Sequence, residues 1–162
     1  EISACLVGSE MCIRDRPTWD RLAIGDALFG VLRASDPIPH YRLSGGSKLG
    51  GRTMKSRWGK QITQALEGVD ELIVDLRSGT YQQLGRVKDA VTVRVESVQD
   101  DGSRKVVSHF NKHYKGLLAR ELTLSPADAY SAADVAAIAR AAGMTVEEPG
   151  PGSRELTLVV KC

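Results

Sequence analysis

The run from Ala90 to Arg120 constrains the fold more than any other part of the sequence. Residues 90–98 alternate valine with polar side chains, a pattern typical of a strand that buries one face. Residues 99–103 contain an Asp-Gly pair, which favours a tight hairpin turn, and residues 104–108 then form the returning strand. That strand leads directly into a predicted helix over residues 108–120.

The predicted helix is amphipathic. At about 100° per residue, its apolar side chains occupy one arc and its basic side chains the other, with Gly116 inside the basic arc. A glycine at that place lets a ligand approach the backbone closely, which is a first indication of an anion site. The alternative is the solvated face of an ordinary surface helix. The apolar arc holds Phe110, Tyr114, Leu117 and Leu118, and the basic arc holds His109, Lys112, His113, Lys115 and Arg120.

Three segments near the start of the chain carry weaker signals. The apolar, glycine-punctuated residues 21–32 predict a buried strand that runs into a turn or a short helix, and residues 41–43 predict a short extended piece. Residues 44–51 are a glycine-rich loop that carries Lys48, and the backbone N–H groups of such a loop can bind an anion. The spacing does not match a nucleotide P-loop, and a plain flexible connection is the alternative.

The middle of the chain predicts a helix followed by a strand. Residues 54–69 have apolar side chains at helical spacing and predict one continuous helix. Residues 71–76 predict a short buried strand whose carboxyl end leads to Ser78 and Tyr81. In mixed sheets, ligands tend to bind at that end of a strand, so these two side chains are candidates for a binding site.

The C-terminal part predicts a helix and two strands. Ser131 and Asp134 form a capping box, and the apolar residues after them give a core-facing stripe that ends at Gly143. Residues 144–147 and 154–161 are separated by a Pro-Gly-Pro-Gly turn and predict a final pair of strands.

Residues 1–16 do not resemble the rest of the sequence. Residues 6–15 back-translate to a transposase-type sequencing adaptor, so we interpret residues 1–16 as a non-native, adaptor-derived segment and expect it to be disordered. A secretion signal is a poor alternative, because charged residues interrupt the apolar ones. Residues 17–162 are interpreted as the C-terminal portion of one longer domain, since Pro17 follows no initiator methionine.

Composition excludes some classes of protein. Without residues 1–16, the chain has 146 residues with 20 Lys+Arg against 17 Asp+Glu, and this net charge of +3 neither requires nor excludes nucleic acid. Only Cys162 remains, which excludes a disulfide framework or a cysteine metal site and makes a reducing cytoplasm the natural compartment. No apolar run reaches the roughly 18 residues of a membrane span.

The candidate chemistry narrows to anion binding. His109 and His113 have a spacing that could hold a metal, but Phe110 follows the first histidine where that class of site has Glu, and nearby lysines would repel a cation. Ser78 follows no nucleophile-elbow pattern, so a hydrolase triad is disfavoured. We therefore expect no metal and no cofactor. The candidate anion or nucleic-acid ligands are Arg42, Lys48, Lys112, Lys115 and Arg120 for charge, with Ser78, Tyr81 and Asn111 for hydrogen bonds.

Five ordered blocks of sequence resemble a known family. Residues 28–33 (LFGVLR), then Asp36, then the Tyr-Arg-Leu at 41–43, resemble the "GLYG-LRP-D…YRL" signature of the YaaA family of peroxide-stress proteins. The remaining blocks are the Trp58-Gly59 helix, the Asp-Leu-Arg-Ser at 75–78 with Tyr81, and residues 109–116. The sequence departs from that pattern at Ala34-Ser35, Asp75, Thr80 and Asn111, and Asp75 would weaken an anion site if it points inward.

The resemblance implies an α+β fold in which a mixed β-sheet is flanked by helices, with a positively charged cleft. It also implies a cytoplasmic protein that binds double-stranded DNA and limits iron-driven oxidative damage, and that about the first 40% of such a protein is absent from this chain. The alternative is an enzyme acting on a nucleotide or another small anion, with Lys112 as the catalytic group. A buried lysine with a depressed pKa would favour the enzyme, and an open groove would favour DNA. A folded remnant without activity is a third possibility.

Overall fold

The computed structural model describes residues 19–108 and 110–161. The strands are β1 (Ala23–Asp26), β2 (Gly30–Arg33), β3 (Lys48–Leu49), β4 (Arg52–Thr53), β5 (Val74–Asp75), β6 (Val91–Val98), β7 (Arg104–Val106), β8 (Thr145–Glu147) and β9 (Glu155–Lys161). The helices are α1 (Met54–Trp58), α2 (Gln61–Glu67), α3 (Gly79–Gln82), α4 (Asn111–Leu124) and α5 (Ala132–Ala141). The segment at residues 1–16 interpreted as adaptor lies outside the described residues, as do His109 and Cys162.

Five strands form one mixed sheet in the order β5-β6-β9-β8, with β7 also paired to β6. Its longest contact is the parallel pairing of β6 with β9, which runs from Thr92–Glu155 to Val98–Lys161. β5 is parallel to β6, whereas β7 and β8 run antiparallel to their neighbours. The sheet and its flanking helices confirm the predicted α+β class, and the 144–147 and 154–161 segments do pair with each other.

One face of this sheet packs against α4 and α5. Along β6 the buried valines alternate with more exposed residues, as the sequence pattern predicted. Val93 and Val95 pack with Leu118 and Leu122 of α4 and with Val135 of α5. Each fully buried side chain of this kind contributes roughly 1.5–3 kcal/mol relative to an exposed one, so this layer is the main source of stability.

A second apolar cluster holds the N-terminal elements. Met54 of α1 packs with Ile62 and Leu66 of α2, and with Leu84 and Ala90 from the segment that precedes β6. Beside this cluster, β1 and β2 pair as an antiparallel hairpin, so residues 21–32 take the strand-and-turn alternative.

The helix predicted over residues 54–69 is interrupted at Gly59, and the prediction of one continuous helix is wrong there. Gly59 has φ of 55° and ends α1, and α2 begins at Gln61. Glycine adopts this conformation without the steric clash that a side chain would cause. The break separates Trp58, whose indole Nε1 donates to the carbonyl of Ala27 at 2.8 Å, from the core-facing Ile62.

Part of the glycine-rich loop at residues 44–51 is a regular hairpin. β3 and β4 pair across Gly50 and Gly51, whose φ angles are +55° and +77°. Positive φ at both turn residues is the geometry that matches the twist of a two-residue hairpin. The segment is therefore more ordered than a plain flexible connection, whereas residues 41–43 form no strand.

The basic helix is shifted from its predicted position. α4 runs over Asn111–Leu124, so Phe110 precedes the helix and is 73% exposed, and its predicted burial is wrong. The helical wheel does not apply to a residue outside the helix. The buried side of α4 includes Leu118 and Leu122, and Gly116 is also buried rather than open to the basic surface.

Gly85 provides a test of how α2 packs. A Cβ atom built on it would lie 2.9 Å from the backbone nitrogen of Thr63 and closer still to the side chain of Ile62. We expect Gly85→Ala to lower the free energy of unfolding by about 1–3 kcal/mol, because backbone would have to move. Urea unfolding monitored by circular dichroism measures the change.

The matched control is Gly79→Ala in α3. A Cβ atom there would meet nothing within 4 Å, and alanine restricts the unfolded chain, so this variant should be as stable as the original or slightly more so. Equal unfolding midpoints for the two variants would contradict the packing described.

Candidate anion-binding site

A buried ion pair lies at the carboxyl end of β5. Asp75 ends the strand, and Arg77 follows two residues later, where an extended chain returns its side chain to the same side. The guanidinium donates from Nε to Oδ1 and from Nη2 to Oδ2 of Asp75, each at 2.8 Å. Nη2 also donates to the carbonyl of Gly85 at 2.7 Å. The two side chains are only 6% and 5% exposed, so their charges offset each other away from water.

This pairing changes the expectation for Asp75. An inward-pointing carboxylate at this place would repel an anion, and Asp75 does point inward. Its charge is balanced by a bidentate guanidinium, however, which is the strongest common geometry for a carboxylate. Asp75 therefore does not leave an uncompensated negative charge at the candidate site.

Lys115 is a half-buried cation on α4. Burial lowers the pKa of its ammonium group, and the negative charges of Asp75 and Glu155 oppose that shift by favouring the protonated form. These two acids are in register across the sheet, because Asp75 pairs with Thr92 and Thr92 pairs with Glu155. The parallel pairing of β5, β6 and β9 thus places two carboxylates within electrostatic reach of one lysine.

The glycine-rich loop packs against α3. A Cβ atom on Gly45 would lie 3.4 Å from Leu84 Cδ1 and Thr80 Cγ2, and 3.5 Å from Tyr81 Cε1. Gly45 is buried in this contact. The structure therefore brings together two of the segments that the sequence analysis selected, the 44–51 loop and the segment that carries Ser78 and Tyr81.

Tyr41 connects this loop to the first hairpin. Its hydroxyl donates a hydrogen bond to the carboxylate of Asp26. Burial, that hydrogen bond, the charge of Asp26 and the nearby Tyr81 all raise the pKa of Tyr41. The phenol thus stays protonated and acts as a donor. Tyr41 also contacts Phe29 edge-on, with the ring centroids 5.7 Å apart.

Three other predicted site residues have different surroundings. Ser78 is the residue before α3, half-buried, and its hydroxyl makes no capping hydrogen bond. Asn111 is the first residue of α4 and is half-buried. Arg120 is exposed and forms an ion pair with Glu121 at 2.6 Å, so part of its charge is already offset.

The remaining three predicted residues are exposed cations. Arg42, Lys48 and Lys112 form no ion pair with any other residue in the described part of the chain. The packing of Gly45 beside Tyr81 and the electrostatic interaction of Lys115 with Asp75 are two links between predicted site segments that the described residues show.

A cavity of about 790 Å³ lies elsewhere. It opens at the amino ends of β5 and β6, among Asp70, Asp89, Tyr130 and Arg154, and contains none of the eight predicted site residues. The predicted positive cleft therefore does not coincide with this cavity.

Sequence reasoning did not select Arg77 or Glu155. The signal for Arg77 was available, because residues two apart on a strand share a face and Asp75 had been singled out as a residue that could point inward. Glu155 had no such signal, since its relation to Lys115 depends on the register between β6 and β9.

Two kinds of feature are absent from the described residues. No helix among residues 19–108 and 110–161 is long and apolar enough to cross a membrane. The same residues contain no group of three or more His, Cys, Asp or Glu side chains that could hold a metal ion. His109, one of the two histidines considered for a metal site, lies outside them.

Comparison with known proteins assigns the family. The profile described as "Peroxide stress protein YaaA" matches residues 17–148. The chain belongs to the YaaA peroxide stress protein family. The residue blocks recognised in the sequence, from residue 28 to residue 116, all lie within the matched range.

Relatives in the YaaA family are similar over most of this chain. A UPF0246 protein of Corynebacterium efficiens is 69% identical over 146 residues, and one of Corynebacterium glutamicum is 67% identical over the same length. Each alignment covers 87% of this chain and 60% of the relative. A UPF0246 protein of Streptomyces coelicolor is 34% identical over 146 residues, covering 86% of this chain and 56% of its own. The chain thus spans about 60% of the length of these two Corynebacterium relatives.

The buried ion pair predicts a large loss of stability when one partner is removed. Arg77→Leu leaves the carboxylate of Asp75 buried without a counter-charge, and we expect a loss of about 3–5 kcal/mol in unfolding free energy. The double variant Asp75→Leu/Arg77→Leu removes both charges and should recover much of that loss. Urea unfolding measures all three proteins, and an Arg77→Leu variant as stable as the original would contradict the pairing.

The lowered pKa of Lys115 predicts that replacing this lysine raises the stability of the fold, by an amount that depends on pH. Because its folded-state pKa lies below the unfolded value of about 10.4, the charged lysine weakens folding at neutral pH, and this effect fades as pH rises through the folded pKa. Lys115→Met should therefore raise the melting temperature at pH 7, by about 2–4 °C for each kcal/mol relieved. The difference from the original chain should narrow toward pH 10.

The control for this prediction is Lys112→Met. Lys112 is an exposed lysine on the same helix, and substitutions at such positions usually change stability by less than about 0.5 kcal/mol. A Lys115→Met variant that melts below the original chain at pH 7 would show that burial does not disfavour the charged amine.

Proposed function

We propose that this chain is a DNA-binding part of a cytoplasmic peroxide-stress protein that helps to limit iron-driven oxidative damage. Family membership supports the peroxide-stress role. DNA binding is supported by one observation: Arg42, Lys48 and Lys112 are exposed and unpaired within the described residues. The chain covers 60% of the length of one Corynebacterium relative, so the activity of a whole protein of this family is part of this proposal.

The contrast with the arginines elsewhere gives this observation its weight. Arg94 pairs with Glu96 at 2.8 Å, Arg104 with Glu147 at 2.6 Å, and Arg140 with Glu148 at 2.8 Å. The charge of a paired arginine is partly offset by its neighbour, whereas an unpaired ammonium or guanidinium retains its full attraction for a phosphate. Arg42, Lys48 and Lys112 belong to the second group, whereas Arg120, which was also selected from the sequence, pairs with Glu121.

The contacts expected from these residues would be independent of base sequence. Lysine and arginine side chains bind phosphate oxygens, and such contacts fix the position of a protein on DNA without reading bases. Each phosphate contact releases bound counterions, so binding weakens with salt by about 0.9 units of log–log slope per contact. Salt dependence is therefore the direct measurement of how many cations bind phosphates.

A second candidate function rests on Lys115. A half-buried lysine with a lowered pKa is more readily deprotonated than a surface lysine, and a neutral amine can act as a base or nucleophile. Asp75 and Glu155 lie within its electrostatic reach. This arrangement supports an enzyme acting on a nucleotide or another small anion, with Lys115 rather than Lys112 as the reactive group, because Lys112 is exposed.

DNA binding is tested by fluorescence anisotropy with a labelled duplex of about 20 base pairs across a salt series. We expect Arg42→Gln/Lys112→Gln to reduce the log–log salt slope by about two units. The matched control is Lys88→Gln/Lys105→Gln, which removes the same charge from two exposed lysines outside the predicted site. Equal slopes for the two double variants would contradict a role for Arg42 and Lys112.

The two candidate functions are separated by Lys115→Met. If duplex DNA is the ligand, this variant keeps most of its affinity, since Lys115 is not an exposed cation. If a small anion is the substrate, a panel of nucleotides should raise the melting temperature of the original chain and not of Lys115→Met. A chain stabilised by nucleotides but without salt-dependent duplex binding would support the enzyme and contradict the DNA proposal.

A further inference from the structure

We propose that residues 48–60, here called the basic hairpin–helix segment, form a contact surface for the phosphate backbone of duplex DNA. The segment comprises β3, β4 and α1 together with Gly59 and Lys60. The inference rests on the proposed DNA binding and extends it, because Lys55 and Lys60 were not among the predicted ligands. It identifies which part of the surface binds the duplex.

The first reason is the distribution of charge. Residues 37–66 contain no Asp or Glu, although 20 acidic residues in 162 would place about four in a stretch of that length. The same stretch contains six Lys and Arg residues, and all six are exposed: Arg42, Lys48, Arg52, Lys55, Arg57 and Lys60. Without carboxylates between them, their fields add, and a polyanion is attracted to the segment.

The second reason is that the segment is internally braced. Arg57 donates from Nε to the carbonyl of Leu49 at 2.8 Å, and Arg52 donates from Nη2 to the carbonyl of Ser56 at 3.0 Å. The hydroxyl of Thr53 accepts from the backbone N–H of Ser56 at 3.1 Å and caps α1. These three bonds hold the hairpin and the helix in a fixed relation, so the cations are positioned before any ligand binds.

Gly50 shows how closely the side chain of Arg57 packs against the hairpin turn. A Cβ atom on Gly50 would lie 2.8 Å from Nη2 of Arg57, and its φ of +55° favours glycine independently. The side chain of Arg57 therefore lies directly across the turn of the hairpin.

The third reason is the way the segment is attached to the rest of the molecule. Met54 is 3% exposed within the second apolar cluster, and Trp58 bonds the carbonyl of Ala27. The inner side of the segment is thus fixed by apolar packing and one hydrogen bond. Lys55 and Lys60 are exposed and form no ion pair with another described residue, so their ammonium groups are available to a ligand.

These features fit a duplex better than a small anion. A small anion is held by groups that surround it and exclude water, whereas every cation here is exposed. Duplex DNA carries about one negative charge per 1.7 Å of its axis and can meet several such cations at once. Because Arg52 and Arg57 are held by backbone carbonyls, the lysines supply contacts to phosphates and no base reading is expected.

The test uses Lys55→Gln/Lys60→Gln in the same anisotropy assay as above, with Lys88→Gln/Lys105→Gln as the charge-matched control. We expect the log–log salt slope to fall by about two units and the duplex affinity at 0.1 M salt to fall by about one to two orders of magnitude. The control should change the slope much less. Thermal melts check that each variant is folded, which is expected because all four lysines are exposed.

A second measurement avoids substitutions. Amine-reactive labelling of the original chain, followed by mass spectrometry, reports how far duplex DNA protects each lysine. Lys55 and Lys60 should be protected several-fold, and Lys88 and Lys105 should not. Salt-dependent binding by the original chain, with no change in slope for Lys55→Gln/Lys60→Gln and no protection, would overturn this inference and leave the proposed DNA binding intact. No duplex binding by the original chain at low salt would overturn both.

Discussion

The parallel pairing of β6 with β9 is the contact on which the rest of the structure depends. It aligns Val93 with Leu156 and Val95 with Leu158, so four buried side chains meet α4 and α5 as one surface. β5 and β7 pair with β6, and β8 pairs with β9, so all three strands join the sheet through one member of the central pair. Parallel pairing joins residues far apart in the chain, and β6 and β9 are separated by both long helices.

The same pairing sets the electrostatics around Lys115. Because β5, β6 and β9 are all parallel, Asp75 and Glu155 come into register on either side of Thr92, although 80 positions separate them in the sequence. Both acids favour the charged form of Lys115, while burial opposes it more strongly. Arg77 binds both oxygens of Asp75, and the ion pair is itself buried. The lysine is therefore held in surroundings that do not stabilise its charge fully.

Much of the fold could be predicted from the sequence, because the patterns that specify its strands, turns and helix ends involve neighbouring residues. The alternation in residues 91–98, the Asp-Gly hairpin and the capping box at Ser131 each specify an element through neighbouring residues, and each is present. The errors occur where tertiary contacts decide. Trp58 bonds Ala27, and Gly59 breaks the helix that periodicity predicted as continuous. Phe110 was assigned to the buried side of a helix that begins one residue later.

The sequence could propose candidate site residues by their type, but it could not predict how they are arranged. Residue types alone selected Arg42, Lys48, Lys112 and Lys115, yet Lys115 is half-buried beside two acids and the other three are exposed. That difference follows from the position of α4 on the sheet, which no local pattern encodes. The contact of Gly45 with Tyr81, by contrast, joins two segments that the sequence had marked separately as places for an anion. The sequence could identify the candidate side chains, whereas the register of the parallel strands decides which acids lie near Lys115.

The cations discussed above fall into two groups that differ in their hydrogen bonds. Arg77, Arg52 and Arg57 use their planar guanidinium groups to bond carboxylates or backbone carbonyls, a geometry that a lysine cannot reproduce. Lys48, Lys55, Lys60 and Lys112 are exposed and have no such partner among the described residues. The guanidinium of an arginine that bonds a backbone carbonyl has already used part of its hydrogen-bonding capacity within the protein. The ammonium of a lysine on the same hairpin has not. Arg52 and Arg57 therefore fix the shape of the basic hairpin–helix segment, and its lysines carry the charge on which the proposed DNA contact depends.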